Sequence, residues 1–225
     1  MSQVIEVKNV TKIYKQGKIA IYALKGVNLT IDKEDFVVLS GPSGSGKSTL
    51  LNIIGSLDNA SSGEVIVEGH NISKMTASEL ADFRLNNMGF IFQSYNLFPV
   101  LNALENVGLG LELKGLPKKE ILDLVMEALE DVGLKDYAKR KPNELSGGQQ
   151  QRVAVARALV SKPRLIFGDE PTANLDSKNS ESLIELMKEM QSKYKTTVVL
   201  STHDEMVLSK AKRIIKLIDG SVVNA

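Results

Sequence analysis

The chain contains no cysteine. That excludes disulfides and thiolate metal sites, and it fits a reducing compartment. An excess of charge of one sign is also missing. The 28 Lys and Arg stand against 27 Asp and Glu, a formal net charge of +1, so nothing in the charge makes a case for nucleic acid as a partner. No uninterrupted apolar run approaches the roughly 20 residues of a membrane-spanning helix. The opening stretch, Met1-Ser2-Gln3-Val4-Ile5-Glu6, lacks the basic and apolar pattern of a signal peptide. Repeats, low-complexity tracts and tails of disordered composition are absent too. What is present is ordinary: 43% hydrophobic and 24% charged residues in a chain of 225 suit one or two globular domains with a sizeable core.

Against this plain background two short stretches stand out, GPSGSGKST at Gly41–Thr49 and LSGGQ at Leu145–Gln149. The first fits the phosphate-binding loop, Gly41-x-x-x-x-Gly46-Lys47-Ser48, and the flanking sequence supplies the context the pattern requires. Residues 36–40, an apolar run too short for a helix, predict a strand, and residues 49–54 open a helix. Glycines let the loop turn tightly, so that successive backbone N–H groups face inward, and the helix adds its positive end. Gly41, Pro42, Ser43, Gly44, Ser45, Gly46, Lys47, Ser48 and Thr49 are therefore the candidate phosphate cradle. Lys47 is expected at the β- and γ-phosphates, and the Ser48 hydroxyl on Mg²⁺.

Arg164-Leu165-Ile166-Phe167-Gly168-Asp169-Glu170 predicts an apolar strand ending in two carboxylates. Alone, Asp169-Glu170-Pro171 would read as a strand end with turn residues, because proline forces an extended residue before it. After a phosphate loop it reads as the second nucleotide motif. Asp169 would hold the metal, and Glu170 would polarise a water beside the γ-phosphate. Ser146-x-x-Gln149 is a capping box opening a helix over 149–160. Two glycines before a helix start also make an anion site, so the same residues are expected to cap the helix and to point its dipole at a phosphate.

The rest of the chain falls into short elements. Residues 4–10, 24–31 and 64–68 predict strands, and from Gly41 onward strands alternate with helices. Thr76-Ala77-Ser78-Glu79 is a capping box opening a helix through Arg84. Residues 118–132 carry Ile121, Leu122, Val125, Met126, Leu129 and Val132 on one stripe, read as core packing, and Gly133 ends it. Residues 177–192 form another amphipathic helix. Residues 214–218, the pair Asp219-Gly220 and residues 221–223 carry a hairpin signal.

Leu145-Ser146-Gly147-Gly148-Gln149, followed by Gln150-Gln151-Arg152, resembles the signature of ATP-binding cassette (ABC) ATPases. Other motifs follow in the family's order and span essentially the whole chain. Tyr14 resembles the residue that stacks on adenine; Tyr22 competes on residue type alone, and the resemblance favours Tyr14, which precedes a Lys- and Gly-containing loop. Gln93, after a strand at Met88–Phe92, resembles the Q-loop glutamine. Ala173-Asn174-Leu175-Asp176 resembles the D-loop, with Ala-Asn where Ser-Ala is commoner. His203, after a strand at Thr197–Ser201, resembles the switch histidine.

The resemblance implies an α/β fold: a P-loop NTPase with a RecA-like core, an antiparallel β subdomain, and an inserted α-helical subdomain at about residues 94–162 that carries the signature. The whole of 1–225 would be one nucleotide-binding domain. It implies ATP and Mg²⁺ as cofactors, with Ser48, Gln93 and Asp169 at the metal, Glu170, His203 and Gln93 in catalysis, and Tyr14 and Asp176 at the nucleotide. It implies assembly as well. Ser146, Gly147, Gly148 and Gln149 of one copy would complete the site of a second copy, head to tail. A separate integral membrane subunit would supply the pore, so the chain is expected on the cytoplasmic face of the membrane, held there by its partner.

Residues 96–101, Asn-Leu-Phe-Pro-Val-Leu, are unusually apolar for a loop. They are either core or the lining of a docking groove, and the resemblance to transport cassettes favours docking. The stretches 89–93 and 102–107 are similar to cassettes of lipoprotein-release, macrolide-efflux and antimicrobial-peptide export systems, which implies export or extraction. A chromosome-maintenance cassette would need a long coiled-coil insertion, and the segment between Lys47 and Ser146 is cassette-sized. A pure nucleotide sensor would not need Glu170 and His203. A soluble or regulatory cassette with a different partner surface is the alternative.

Overall fold

The computed structural model describes residues 3–17 and 19–224; Met1 and Ser2 of the opening stretch lie outside them. The chain forms two compact units. The first holds residues up to Arg84 and from Thr197 onward, and the second holds Leu85–Thr196.

The first unit opens with β1 (Gln3–Gln16) and β2 (Ile19–Asp32), which pair antiparallel. Then come β3 (Phe36–Ser40), α1 (Lys47–Ile54), β4 (Ser62–Val67), β5 (His70–Asn71) and the larger part of α2 (Ala77–Asn87), whose last residues belong to the second unit. Strands β2, β1, β4 and β5, in that order, make an antiparallel sheet. β3 is buried at every position. That is why it appears in the sequence as an unbroken apolar run rather than an alternating one.

The second unit begins with β6 (Met88–Phe92), α3 (Ala103–Leu113), α4 (Lys118–Asp131) and α5 (Gly147–Leu159). It continues with β7 (Leu165–Asp169) and α6 (Ser177–Tyr194). β6 and β7 run parallel, with Phe92 opposite Asp169. Helix α5 lies tight against β6: a Cβ on Gly89 would come within 2.3 Å of the Ala158 carbonyl oxygen. Glycine is therefore what permits this approach.

The chain returns to the first unit as β8 (Thr197–Ser201), α7 (Glu205–Lys210), β9 (Arg213–Ile218) and β10 (Ser221–Asn224). β3 pairs parallel with β8 on one side and β9 on the other. The β9–β10 hairpin turns at Asp219 and Gly220, with φ of 48° and 81°. Two successive positive φ values are what a two-residue hairpin of the primed type demands. The architecture is the mixed α/β arrangement that the sequence implied.

Several bounds differ from expectation. α1 starts at Lys47, two residues early, because left-handed Gly46 (φ 102°) caps it directly. β1 runs on to Gln16 because it keeps pairing with β2 through a stretch that lacks clean alternation. α2 ends at Asn87 rather than Arg84, although Thr76 and Glu79 do form its capping box. Leu122 of the α4 stripe is 46% exposed, so the apolar face is narrower than the pattern suggested. The core reading of residues 96–101 does not hold either. Phe98 is 50% exposed and Val100 73%. Among the described residues no helix is long and apolar enough to cross a membrane.

Candidate phosphate and nucleotide sites

The first unit carries the phosphate loop between β3 and α1. Its glycines are there for backbone reasons. Gly41 has φ 145°, and a Cβ on it would fall 2.1 Å from the Leu217 carbonyl oxygen; Gly46 has φ 102° and faces the Ala23 carbonyl oxygen at 2.6 Å. The Gly220 N–H of the β9–β10 turn donates to the Ser45 carbonyl (3.0 Å), and its own carbonyl accepts from Lys25 N–H (2.8 Å). The loop is thus held from behind by the β9–β10 turn. Lys47 is 6% exposed, and its ammonium donates to the carbonyls of Gly41 (2.8 Å) and Pro42 (3.1 Å). The Ser45 hydroxyl is buried with no hydrogen-bond partner. A cation folded onto loop carbonyls and an orphaned hydroxyl fit a cradle made for an anion.

Ser48 is exposed on the first turn of α1. His203 is exposed just beyond β8. β8 runs parallel to β3 with Ser201 opposite Leu39, and Thr202 N–H donates to the Leu39 carbonyl at 3.1 Å. His203 and the phosphate loop therefore leave the same carboxyl edge of adjacent strands, where open α/β sheets bind ligands. Tyr14 pairs with Ile21, while Tyr22 pairs with Ile13, so the two tyrosines stand on opposite faces of the β1–β2 ladder. Tyr14 is the one tied to the segment after α1, through a 2.7 Å hydrogen bond from its hydroxyl to Asp58.

The second unit carries the carboxylates. The register of β6 on β7 sets Gln93 and Glu170 one step past the paired Phe92 and Asp169, at a common strand end. Glu170 has φ 46°, a left-handed conformation that costs a non-glycine residue about 1 kcal/mol or more. Gln151 of α5, fully buried, donates from Nε2 to the Pro171 carbonyl (2.7 Å) and to the Phe92 carbonyl (3.4 Å). Asn174 Nδ2 donates to the Gln93 carbonyl at 2.9 Å. Tyr95 and Asn96 also have positive φ, 61° and 49°. Arg157 holds their carbonyls at 2.8 and 2.5 Å, and burial lowers its pKa. Gln151, Asn174 and Arg157 give no recognisable sequence signal as supports, because what they bind is backbone distant in sequence.

The signature opens α5 as a full capping box: Gln149 N–H donates to Ser146 Oγ (3.3 Å), and Ser146 N–H to Gln149 Oε1 (2.9 Å). Such a cap contributes about 1 kcal/mol. Cβ atoms on Gly147 and Gly148 would meet Tyr95 Oη at 3.0 Å and Asn179 Oδ1 at 3.2 Å. Asn179 in turn donates from its backbone and side chain to Asp176 (2.8 and 2.6 Å). Those bonds, the backbone one first, hold the Asp176 pKa below its usual value. The signature glycines and Asp176 are therefore neighbours through one asparagine.

Residues 24–173 match the family model for ABC transporters. The chain belongs to the ABC transporter family. It is 48% identical over 222 residues to an uncharacterized ABC transporter ATP-binding protein of Methanocaldococcus jannaschii, MJ0796, covering 97% of this chain and 94% of that one. It is 42% identical over 221 residues to the macrolide export ATP-binding/permease protein MacB of Mannheimia succiniciproducens, covering 98% of this chain but 34% of that protein. Among solved structures, the dimeric post-hydrolysis state of the cassette MJ0796 bound to ADP and Pi superposes with a TM-score of 0.90 at 47% identity, covering 98% of this chain and 97% of that one.

Proposed function

We propose that this cassette is the motor of a membrane transporter: it binds ATP on the phosphate loop, pairs head to tail with a second copy, and hydrolyses the nucleotide with Glu170 as general base. The chain is an ABC-type ATPase, and the observation that carries the catalytic reading is the β6–β7 register, with Gln93 beside Asp169-Glu170 at one strand end. Glu170 takes the proton of the attacking water, Gln93 orients that water through its amide, and His203 hydrogen-bonds the γ-phosphate. Lys47 leaves its loop carbonyls for the β- and γ-phosphates, and Tyr14 stacks on the adenine. Ser48, Asp169 and Gln93 are the residues that would hold Mg²⁺, which supplies charge neutralisation of the phosphates. That ligand set matches an ion that keeps few protein ligands and several oxygens from nucleotide and water.

The signature serves the other copy. Ser146, Gly147 and Gly148 present a capped helix start to the γ-phosphate bound by the partner's Lys47, with Asp176 close by. The dimeric cassette MJ0796 with ADP and Pi supports this assembly. Turnover per chain should then rise with protein concentration through the dimerisation range, and a rate per chain independent of concentration would contradict the shared site.

The membrane partner docks on the second unit. A cavity of about 260 Å³ on this unit is lined by Phe90, Phe92, Asn96, Gly110, Lys114 and Arg157 among others, an apolar and cationic patch on which a partner segment can seat. The exposed Phe98 and Val100 lie on the loop that continues from Asn96. In MacB a permease accompanies the ATP-binding part, by that protein's name. Here a separate membrane chain would fill that place, on the cytoplasmic face, for export or extraction of a lipoprotein, peptide or drug. Co-purification of tagged Glu170→Gln protein with ATP from solubilised native membranes tests this. A membrane protein with few spans and a large outer domain should be recovered, and recovery of soluble partners alone would refute it.

A further inference from the structure

Beside Tyr14 stand two residues, Lys12 and Asp58, that have no part in the motifs above. Tyr14 Oη donates to Asp58 Oδ2 at 2.7 Å. The other carboxylate oxygen, Oδ1, accepts from Lys12 Nζ at 2.6 Å. Lys12 Nζ also donates to the Asn59 carbonyl at 2.7 Å and stands 4.8 Å from the centroid of the Tyr14 ring. One cation therefore neutralises Asp58 and covers one face of the ring, a favourable cation–π placement. The Lys12 side chain is only 12% exposed, whereas Tyr14 keeps 41% of its surface open. That open surface is what a base would cover.

Asp58 is itself tied to the phosphate end. Its N–H and that of Leu57 both donate to the Asn52 carbonyl, at 3.2 and 2.7 Å, in the last turns of α1. α1 begins with Lys47. Two more bonds fasten the following segment to the strand that bears Tyr14: Ser61 N–H to the Thr11 carbonyl at 2.8 Å, and Ile13 N–H to Ser61 Oγ at 2.9 Å. A helix of eight residues spans about 12 Å, so α1 acts as a ruler from cradle to ring.

We infer that Asp58, held by Lys12, is a positioning residue for nucleotide binding: it fixes the Tyr14 ring at a set distance from the phosphate loop, and so selects triphosphates that carry a base. The inference rests on the reading of Tyr14 as the adenine platform. The electrostatics agree with the geometry. Burial first, and then the bond to Asp58, push the Tyr14 hydroxyl's pKa up, so it stays a donor. Burial works to raise the Asp58 carboxyl, but hydrogen bonds from Lys12 and Tyr14 outweigh it and hold it below the ordinary value.

The test compares ATP with inorganic tripolyphosphate, which lacks a base, in steady-state hydrolysis and competition. Asp58→Ala should raise KM for ATP about five- to tenfold, an effect of the order expected for losing charge-assisted hydrogen bonds, with a smaller change in kcat and an unchanged Ki for tripolyphosphate. Asp58→Asn, which keeps the shape and an acceptor for Tyr14, should recover much of the loss and guards against misfolding of the alanine variant. In a Tyr14→Ala background, Asp58→Ala should be silent. Equal weakening of ATP and tripolyphosphate would overturn the inference by making Asp58 a support of α1 alone. So would a full Asp58 effect on top of Tyr14→Ala. If Tyr14→Ala itself leaves KM for ATP unchanged, the platform reading fails, and this inference with it.

Discussion

Asn106 offers a sharp test of how the loop at residues 96–101 is built. Its side chain is fully buried and makes four hydrogen bonds to backbone. Oδ1 accepts from Phe98 N–H (2.8 Å), and Nδ2 reaches the carbonyls of Phe98 (3.1 Å), Leu101 (3.0 Å) and Asn102 (3.0 Å). Asn106→Ala removes all four. The carbonyls of Phe98 and Asn102 keep backbone donors in Leu101 N–H and Asn106 N–H, so the groups stripped are the Phe98 N–H and the Leu101 carbonyl. At about 1–3 kcal/mol for each unsatisfied group, the range is roughly 2–6 kcal/mol. The half-exposed loop lets water reach the stripped groups, so the lower end, about 2–3 kcal/mol, is expected. With a urea slope of about 2–3 kcal/mol per M, the unfolding midpoint should fall by about 1 M. The same variant should keep ATP hydrolysis by the isolated cassette at moderate urea-free temperature, yet lose recovery of the membrane partner, because Phe98 and Val100 are no longer held in place. A midpoint shift within the scatter of ordinary surface substitutions, about 0.5 kcal/mol or less, would refute the claim that Asn106 organises the loop.

Glu170→Gln should bind ATP within a few-fold of the parent in equilibrium dialysis while turnover falls by roughly 10²–10⁴; near-parental turnover would remove Glu170 from its role. Lys47→Ala should fold normally by circular dichroism and lose ATP binding. Gly41→Ala should lose ATP binding by a different route, since its φ of 145° and a Leu217 carbonyl oxygen 2.1 Å from the new Cβ force the loop to move. Tyr194, part-buried and bonded to Asp131 in the second unit, has its pKa pushed from 10.0 up to about 12, by the burial first and then by that carboxylate. A raised folded pKa means that this hydroxyl's contribution to stability is intact below pH 10 and lost as pH rises through about 12. Absorbance titration near 295 nm should show a tyrosine titrating as late as about pH 12 that Tyr194→Phe removes, leaving the upward-shifted Tyr14 in place, and the parent should lose stability over that window.

The parts of the fold that were legible in the sequence are those with local causes. β3, β6 and β8 occupy the predicted residues because buried parallel strands are unbroken apolar runs. The caps at Thr76, Ser146 and the Asp219-Gly220 turn are written in side chains a few residues apart. Ends were less legible: α1 starts at Lys47 because of a glycine conformation, and β1 reaches Gln16 because β2 continues beside it. The motif residues of the site were legible from type and spacing. Their supports were not. Gln151, Arg157, Asn174 and Asp58 act on groups far away in sequence, and only the folded chain joins Tyr14 to Asp58, 44 residues apart. The exposed Phe98 and Val100 could not be told from core by composition, since apolar residues serve both.

The central claim is that one chain holds incomplete halves of an ATP site that a second copy completes. Its most direct test is the mass of purified Glu170→Gln protein by light scattering, with and without ATP and Mg²⁺. Single chains are expected without nucleotide and ATP-dependent dimers with it, abolished by adding Lys47→Ala or Ser146→Arg. Protein that binds ATP at saturation and still runs as single chains at every concentration would contradict it.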